Sequence, residues 1–115
     1  MIAEGDLVLI RFPQADLKEG KLRPALLIRE FPSRFDSWLV CMVSTRLHHR
    51  IEGLEEIVRE SDGAFASTGL KKDFVIRSSR LAVVDRDVFK GKIGSLPVDR
   101  FEAVRSKLSK WIGGE

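Results

Sequence analysis

A chain of 115 residues is the size of one domain around one hydrophobic core, and 43% hydrophobic residues are enough to fold it. With 20 Lys and Arg against 17 Asp and Glu the formal net charge is +3 and the sequence pI near 9.3, which excludes a polycation and permits a nucleic-acid partner without demanding one. A lone cysteine, Cys41, excludes an internal disulfide and a cysteine-rich zinc site; no run approaches the ~20 apolar residues of a membrane span, so a cytoplasmic protein with no membrane partner is expected.

Leu7, Val8, Leu9, Ile10 and Phe12 are too continuously apolar for a strand with one wet face, and read as a mostly buried strand closed by Pro13. A charged loop follows, Gln14 to Leu22, carrying Asp16, Lys18, Glu19, Gly20 and Lys21. The apolar pattern resumes at Pro24-Ala25-Leu26-Leu27-Ile28, so Arg23 is the hinge between loop and strand. The ring of Pro24 drives Arg23 into an extended backbone, and a guanidinium on such a fixed base can meet a phosphate with two parallel hydrogen bonds. Its bland alternative is a surface salt bridge to Glu19 or Asp16.

Phe31 to Ser37 is a turn-rich connection into a third strand, Trp38 to Ser44. Within it Cys41 reads as a small buried hydrophobe rather than a nucleophile. Phe31, Phe35 and Trp38 are candidates either for stacking an unpaired base or for the core. Leu47 to Arg50 is a basic loop, and Ile51 to Glu60 suits a short strand or a helical turn. Ser61-Asp62-Gly63 and Ser67-Thr68-Gly69 are breakers, and Asp73 to Arg77 and Leu81 to Val84 read as two short strands. Many short strands between turns predict a small barrel. The period then changes: Phe101, Val104, Leu108, Trp111 and Ile112 form one helical stripe, with Pro97 in the first turn, Gly113 as the stop, and Trp111 in the core or a dimer interface. Arg46, Arg50, Arg77, Arg80 and Arg86 stand near strand ends or loops, where they either converge on one surface or form a solvated basic face.

The order of Gly5-Asp6 with its apolar strand, Arg23-Pro24, Val43-Ser44-Thr45-Arg46, Gly69-Leu70, Val75-Ile76-Arg77, Ala82-Val83-Val84-Asp85, Ile93-Gly94-Ser95-Leu96 and a terminal helix resembles the MazF/PemK family of toxin endoribonucleases over nearly the whole chain. The resemblance implies a single domain, 1–115, with a mostly β fold, a small SH3-like β-barrel carrying a C-terminal amphipathic helix. It also implies a homodimer that cleaves single-stranded RNA without metal or other cofactor and is neutralised by a cognate antitoxin protein in the RNA groove.

That chemistry needs a base for the ribose 2′-hydroxyl, charge stabilisation at phosphorus and a proton for the leaving 5′-oxygen. The resemblance assigns catalysis to Arg23 and to the hydroxyl pair Ser44 and Thr45, with Glu19, or Asp16 behind it, as the nearest loop carboxylate. Strand alternation turns Ser44 towards the groove if Val43 points inward, and brings Thr45 there only if the strand end bends. Lys21, Arg46, His48, His49 and Arg77 are read as RNA-binding. Adjacent histidines on an extended chain point apart, so His48 and His49 are taken as loop or RNA contacts rather than catalytic or metal-binding groups. Phe74 stands where many family members have a serine. Two alternatives stay open: a non-catalytic toxin like the gyrase-binding CcdB family, and a degenerate relative that binds RNA or antitoxin without cutting.

Overall fold

The computed structural model describes residues 1–11 and 21–115. Six strands, β1 (Asp6–Arg11), β2 (Leu22–Glu30), β3 (Ser37–Ser44), β4 (Glu56–Val58), β5 (Phe74–Asp85) and β6 (Gly91–Ser95), precede one helix, α1 (Val98–Ile112). They form a single antiparallel sheet in the order β4-β5-β3-β2-β1-β6, curled into a half-barrel. Register shifts between Leu7 and Val8, between Leu27 and Arg29, and between Cys41 and Met42 increase its local twist.

The apolar runs of β1 to β3 are continuous because both faces of the sheet are covered. Leu7, Leu26, Ile28, Cys41 and Val43 face a first cluster closed by Phe101, Val104 and Leu108 of α1, whereas Val8, Ile10, Ala25, Leu27, Trp38 and Val40 face a second one. Cys41 is fully buried, and burial pushes its thiol well above the usual range, as the small-hydrophobe reading expects. Trp38 is also core, while Phe35 is exposed with Arg34 over its ring.

The two short strands expected at Asp73 to Arg77 and Leu81 to Val84 are one long strand, β5. Met42 pairs with Arg77 and Cys41 with Leu81, so Ser78, Ser79 and Arg80 bulge out between consecutive positions of β3. Three extra residues are an odd number, and an odd insertion exchanges the faces of a strand. Phe74 and Ile76 therefore enter the first cluster, and Ala82 and Val84 pack on the second. The ambiguous Ile51 to Glu60 segment yields the short strand β4.

Helix α1 buries Phe101, Val104 and Leu108, but Trp111 and Ile112 are each 63% exposed. The core alternative for Trp111 thus fails, because the stripe runs on for a turn past the surface that covers it. Arg105 ties the helix to Glu4 at 2.7 Å and pairs along it with Glu102 at 2.7 Å, Arg100 reaches the Ile57 carbonyl at 2.8 Å, and Lys107 pairs with Glu56 at 3.1 Å. Two glycines are required where β6 meets the turn Ala66–Thr68. A Cβ on Gly94 would collide with the Ser67 and Thr68 backbone, and one on Gly69, which has φ +73°, with the Ile93 carbonyl. No helix among the described residues is long and apolar enough to cross a membrane.

Candidate functional site

The open end of β2 and β3 carries the site. Pro24 lies opposite Leu9 of β1, and the ladder from β2 to β3 begins only at Ala25, where a proline no longer interrupts it. Arg23, paired with Ile10, is consequently an extended strand residue with an exposed side chain at the sheet's end. On β3, Val43 is core, and Ser44 follows at the last strand position.

Two clefts meet at this end. The first, about 500 Å³, continues the sheet face of the second cluster and is bordered by Arg23, Met42, Ser44, Arg46, His49, Arg77, Arg80, Leu81 and Ala82. The second, about 410 Å³, continues the opposite face, with Leu22, Pro24, Val43, Leu70 and Phe74 as apolar lining and Thr45, Lys71 and Lys72 as polar groups. Arg23, Ser44 and Arg46 border both. Ser44 thus faces the groove as alternation predicts, and the chain bends enough for Thr45 to border the second cleft. The Ser44 hydroxyl also accepts the Arg46 N–H at 3.1 Å, so it caps the strand end as well.

Arg23, Arg46 and Arg80 have exposed side chains and make no ion pair among the described residues, so three guanidiniums stand ready for an anion. Arg77, read as RNA-binding, borders the first cleft but is held in a buried ion pair. It is only 8% exposed, and its Nε donates to the Glu55 carboxylate at 2.9 Å. Glu55 is buried and also accepts the Ile51 N–H at 2.9 Å, the Ser79 N–H at 3.0 Å and the Ser79 hydroxyl at 2.7 Å. Burial pushes its carboxyl up, but the Ser79 and Ile51 donors and the Arg77 charge outweigh that and hold it below the usual carboxylate range. One buried carboxylate thereby fastens the chain before β4 and the bulge of β5 to the cleft floor.

The histidines also depart from expectation. Residues Leu47–His49 form a 3₁₀ turn rather than extended chain, which brings the two rings to 4.3 Å at 68°. His49 borders the first cleft and His48 does not. Lys21 is exposed just before β2 and borders neither cleft, and Glu19 and Asp16 lie outside the described residues. Arg50 borders neither cleft, and Arg86 pairs with Asp36 elsewhere. Phe74, in place of the family serine, is 1% exposed in the first cluster. Sequence reading missed Lys71, Lys72 and Glu55 as site residues; the first two directly follow Gly69-Leu70, but no local signal marks Glu55. Among the described residues no group of three or more His, Cys, Asp or Glu could hold a metal ion.

A curled antiparallel half-barrel with one C-terminal helix and a cationic cleft at the end of its central strands defines a small β domain equipped to grip an anion. The chain belongs to the family of PemK-like, MazF-like toxins of type II toxin-antitoxin systems, whose model matches residues 3–112. Its fold is similar to that of the Mycobacterium tuberculosis toxin MazF-mt6, with a TM-score of 0.69 at 16% identity over 94% of this chain and 96% of that one. An endoribonuclease solved in complex with its cognate antitoxin, from a mycobacterial species, superposes with a TM-score of 0.70 at 11% identity over 98% and 96% of the two chains. The MazE-MazF structure from Deinococcus radiodurans gives 0.66 at 24% identity over 97% and 96%. No curated protein matches the sequence significantly.

Proposed function

We propose that this toxin-family member is a metal-independent endoribonuclease that cuts single-stranded RNA at a short sequence, leaving a 2′,3′-cyclic phosphate and a 5′-hydroxyl. The observation that carries this reading is the set of guanidiniums that make no ion pair among the described residues, Arg23, Arg46 and Arg80, around one cleft that also holds the Ser44 hydroxyl. Three cations exceed what a neutral ligand needs and suit a phosphodiester whose charge grows as phosphorus becomes pentacoordinate. Arg23, fixed by Pro24 where the two clefts meet, would hold the scissile phosphate, with Ser44 donating to a nonbridging oxygen and nucleotides on either side entering the two clefts. The apolar lining of the second cleft, Leu22, Leu70 and Phe74, suits an unstacked base, and Lys71 and Lys72 suit the next phosphate. A cognate antitoxin with an acidic, disordered segment would compete for the same guanidiniums and order as it binds.

The test is incubation of purified protein with single-stranded RNA in excess chelator, followed by mapping of the ends. Cyclic phosphate and 5′-hydroxyl ends are expected, and the loss of one positioned donor in Arg23→Ala should slow cutting by ~100-fold or more with folding retained. The same variant should bind the antitoxin more weakly. RNA bound but never cut would favour the non-catalytic relative, and an Arg23→Ala protein within a few-fold of wild type would remove Arg23 from the site.

A further inference from the structure

We propose, resting on the endoribonuclease reading, that His49 is a catalytic residue and acts as the general base that takes the proton of the ribose 2′-hydroxyl. The geometry starts from the 3₁₀ turn. His49 N–H donates to the Arg46 carbonyl and Arg50 N–H to the Leu47 carbonyl, both at 3.0 Å, which fixes the backbone on which the imidazole stands. The His48 ring packs edge-on against it from outside the cleft. His49 therefore faces the same space as Arg23 and Ser44, the groups that would hold the phosphate.

Among the described residues, the other side chains that border this space cannot accept a proton at neutral pH. Arg23, Arg46, Arg77 and Arg80 stay protonated. Among the described residues no carboxylate borders either cleft, and Glu55, behind Arg77, is buried with four donors already on its oxygens. Among the described residues the charged and titratable groups around His49 are all basic: His48 and Arg46 on its own segment, Arg77 and Arg80 from β5, and Arg23 from β2. Desolvation of the ring, then the charges of His48, Arg77, Arg46 and Arg80, shift its pKa below the ordinary imidazole value, which favours the neutral, proton-accepting form of this exposed side chain. The cations that would clamp an anion thus also act, after desolvation, in favour of the neutral imidazole.

In the step itself the 2′-oxygen gives its proton to the imidazole and its electron pair forms the O2′–P bond. The P–O5′ bond breaks with its electrons on O5′, which takes a proton from water. The imidazolium then returns its proton to solvent, so the net change is transesterification alone.

The experiment is single-turnover cleavage of a single-stranded RNA oligonucleotide in chelator, across pH, for wild type, His49→Gln and His49→Ala, with thermal melts on each protein. Wild type should show a limb that rises with pH below the ordinary imidazole midpoint. Both variants should melt normally and cut ~100-fold or more slowly, without that limb. Added imidazole should restore part of the His49→Ala rate and none to Arg23→Ala. Variants that keep the limb and lose only apparent affinity would make His49 an RNA contact and overturn the proposal, leaving a base such as Glu19. A wild type that cuts no RNA would overturn the endoribonuclease reading, and this role with it.

Discussion

Replacing Glu55 by alanine should be among the most damaging single changes in this chain, although Glu55 is a polar residue in a polar stretch of sequence. The substitution leaves the buried Arg77 guanidinium without its counter-charge, and leaves the Ile51 and Ser79 donors without their acceptor. Removing one partner of a buried ion pair typically costs about 3–5 kcal/mol, and the orphaned donors add to the cost without being additive with it. Against a total of about 5–15 kcal/mol for a folded domain this is a large share. The melting temperature should fall by roughly 10–20 °C. Glu55→Met combined with Arg77→Met should recover part of that loss, since a matched apolar pair buries no lone charge, though the Ser79 and Ile51 groups stay unsatisfied. The pH dependence has a definite sign. The folded-state carboxyl lies below its unfolded value, so its contribution is complete above the unfolded carboxylate pKa and is lost as the pH falls through the folded one. Wild type and Glu55→Gln should therefore differ most at neutral pH and converge in acid. Circular dichroism melts and urea titrations would measure all of this. A Glu55→Ala protein destabilised by less than ~1 kcal/mol would refute the reasoning.

Two further outcomes are expected. Ser44→Ala, which borders both clefts, should slow cleavage by more than tenfold at unchanged thermal stability, and Thr45→Ala should act less because Thr45 borders only the second; equal and negligible effects in the cleavage assay would reduce both to strand-end caps. Trp111 and Ile112, left exposed at the end of the apolar stripe, should be covered in a symmetric homodimer, so sedimentation should give twice the 13.0 kDa chain mass, and a concentration-independent monomer at micromolar levels and above would exclude it.

What could be read from the sequence depended on whether a signal was local. Pro24 constrains its neighbour directly, so the placement of Arg23 at the start of β2 was legible, and the period of Phe101, Val104 and Leu108 marked the buried face of α1 just as directly. The stripe could not say where its covering surface ends, so it could not decide between the core and an interface for Trp111. The unity of β5 was hidden because Ser78-Ser79-Arg80 breaks the alternation and imitates a turn between two strands. The contact between the histidine rings was not legible, because adjacent residues point apart on extended chain and a 3₁₀ turn forms here instead. Arg77 and Glu55 were the least legible: their partnership spans 22 residues, and neither side chain carries a local sign that it will be buried. The three other arginines of the first cleft come from strand ends and a bulge, and only the topology shows that they converge.

The bulge in β5 also imposes a rule of parity on any change of length there. Because Ser78 to Arg80 is an odd excursion, deleting one of these residues would turn Ala82 and Val84 away from the second cluster and bring Val83 towards it, reversing the outer half of the strand while the inner half stayed in place. Gaining two residues beyond Ser79 would keep every side chain on its own face and change how far the loop projects over the first cleft. The segment between Arg77 and Leu81 can thus lengthen in even steps, and each such step would reshape the rim of the site while the two cores beneath it kept their partners.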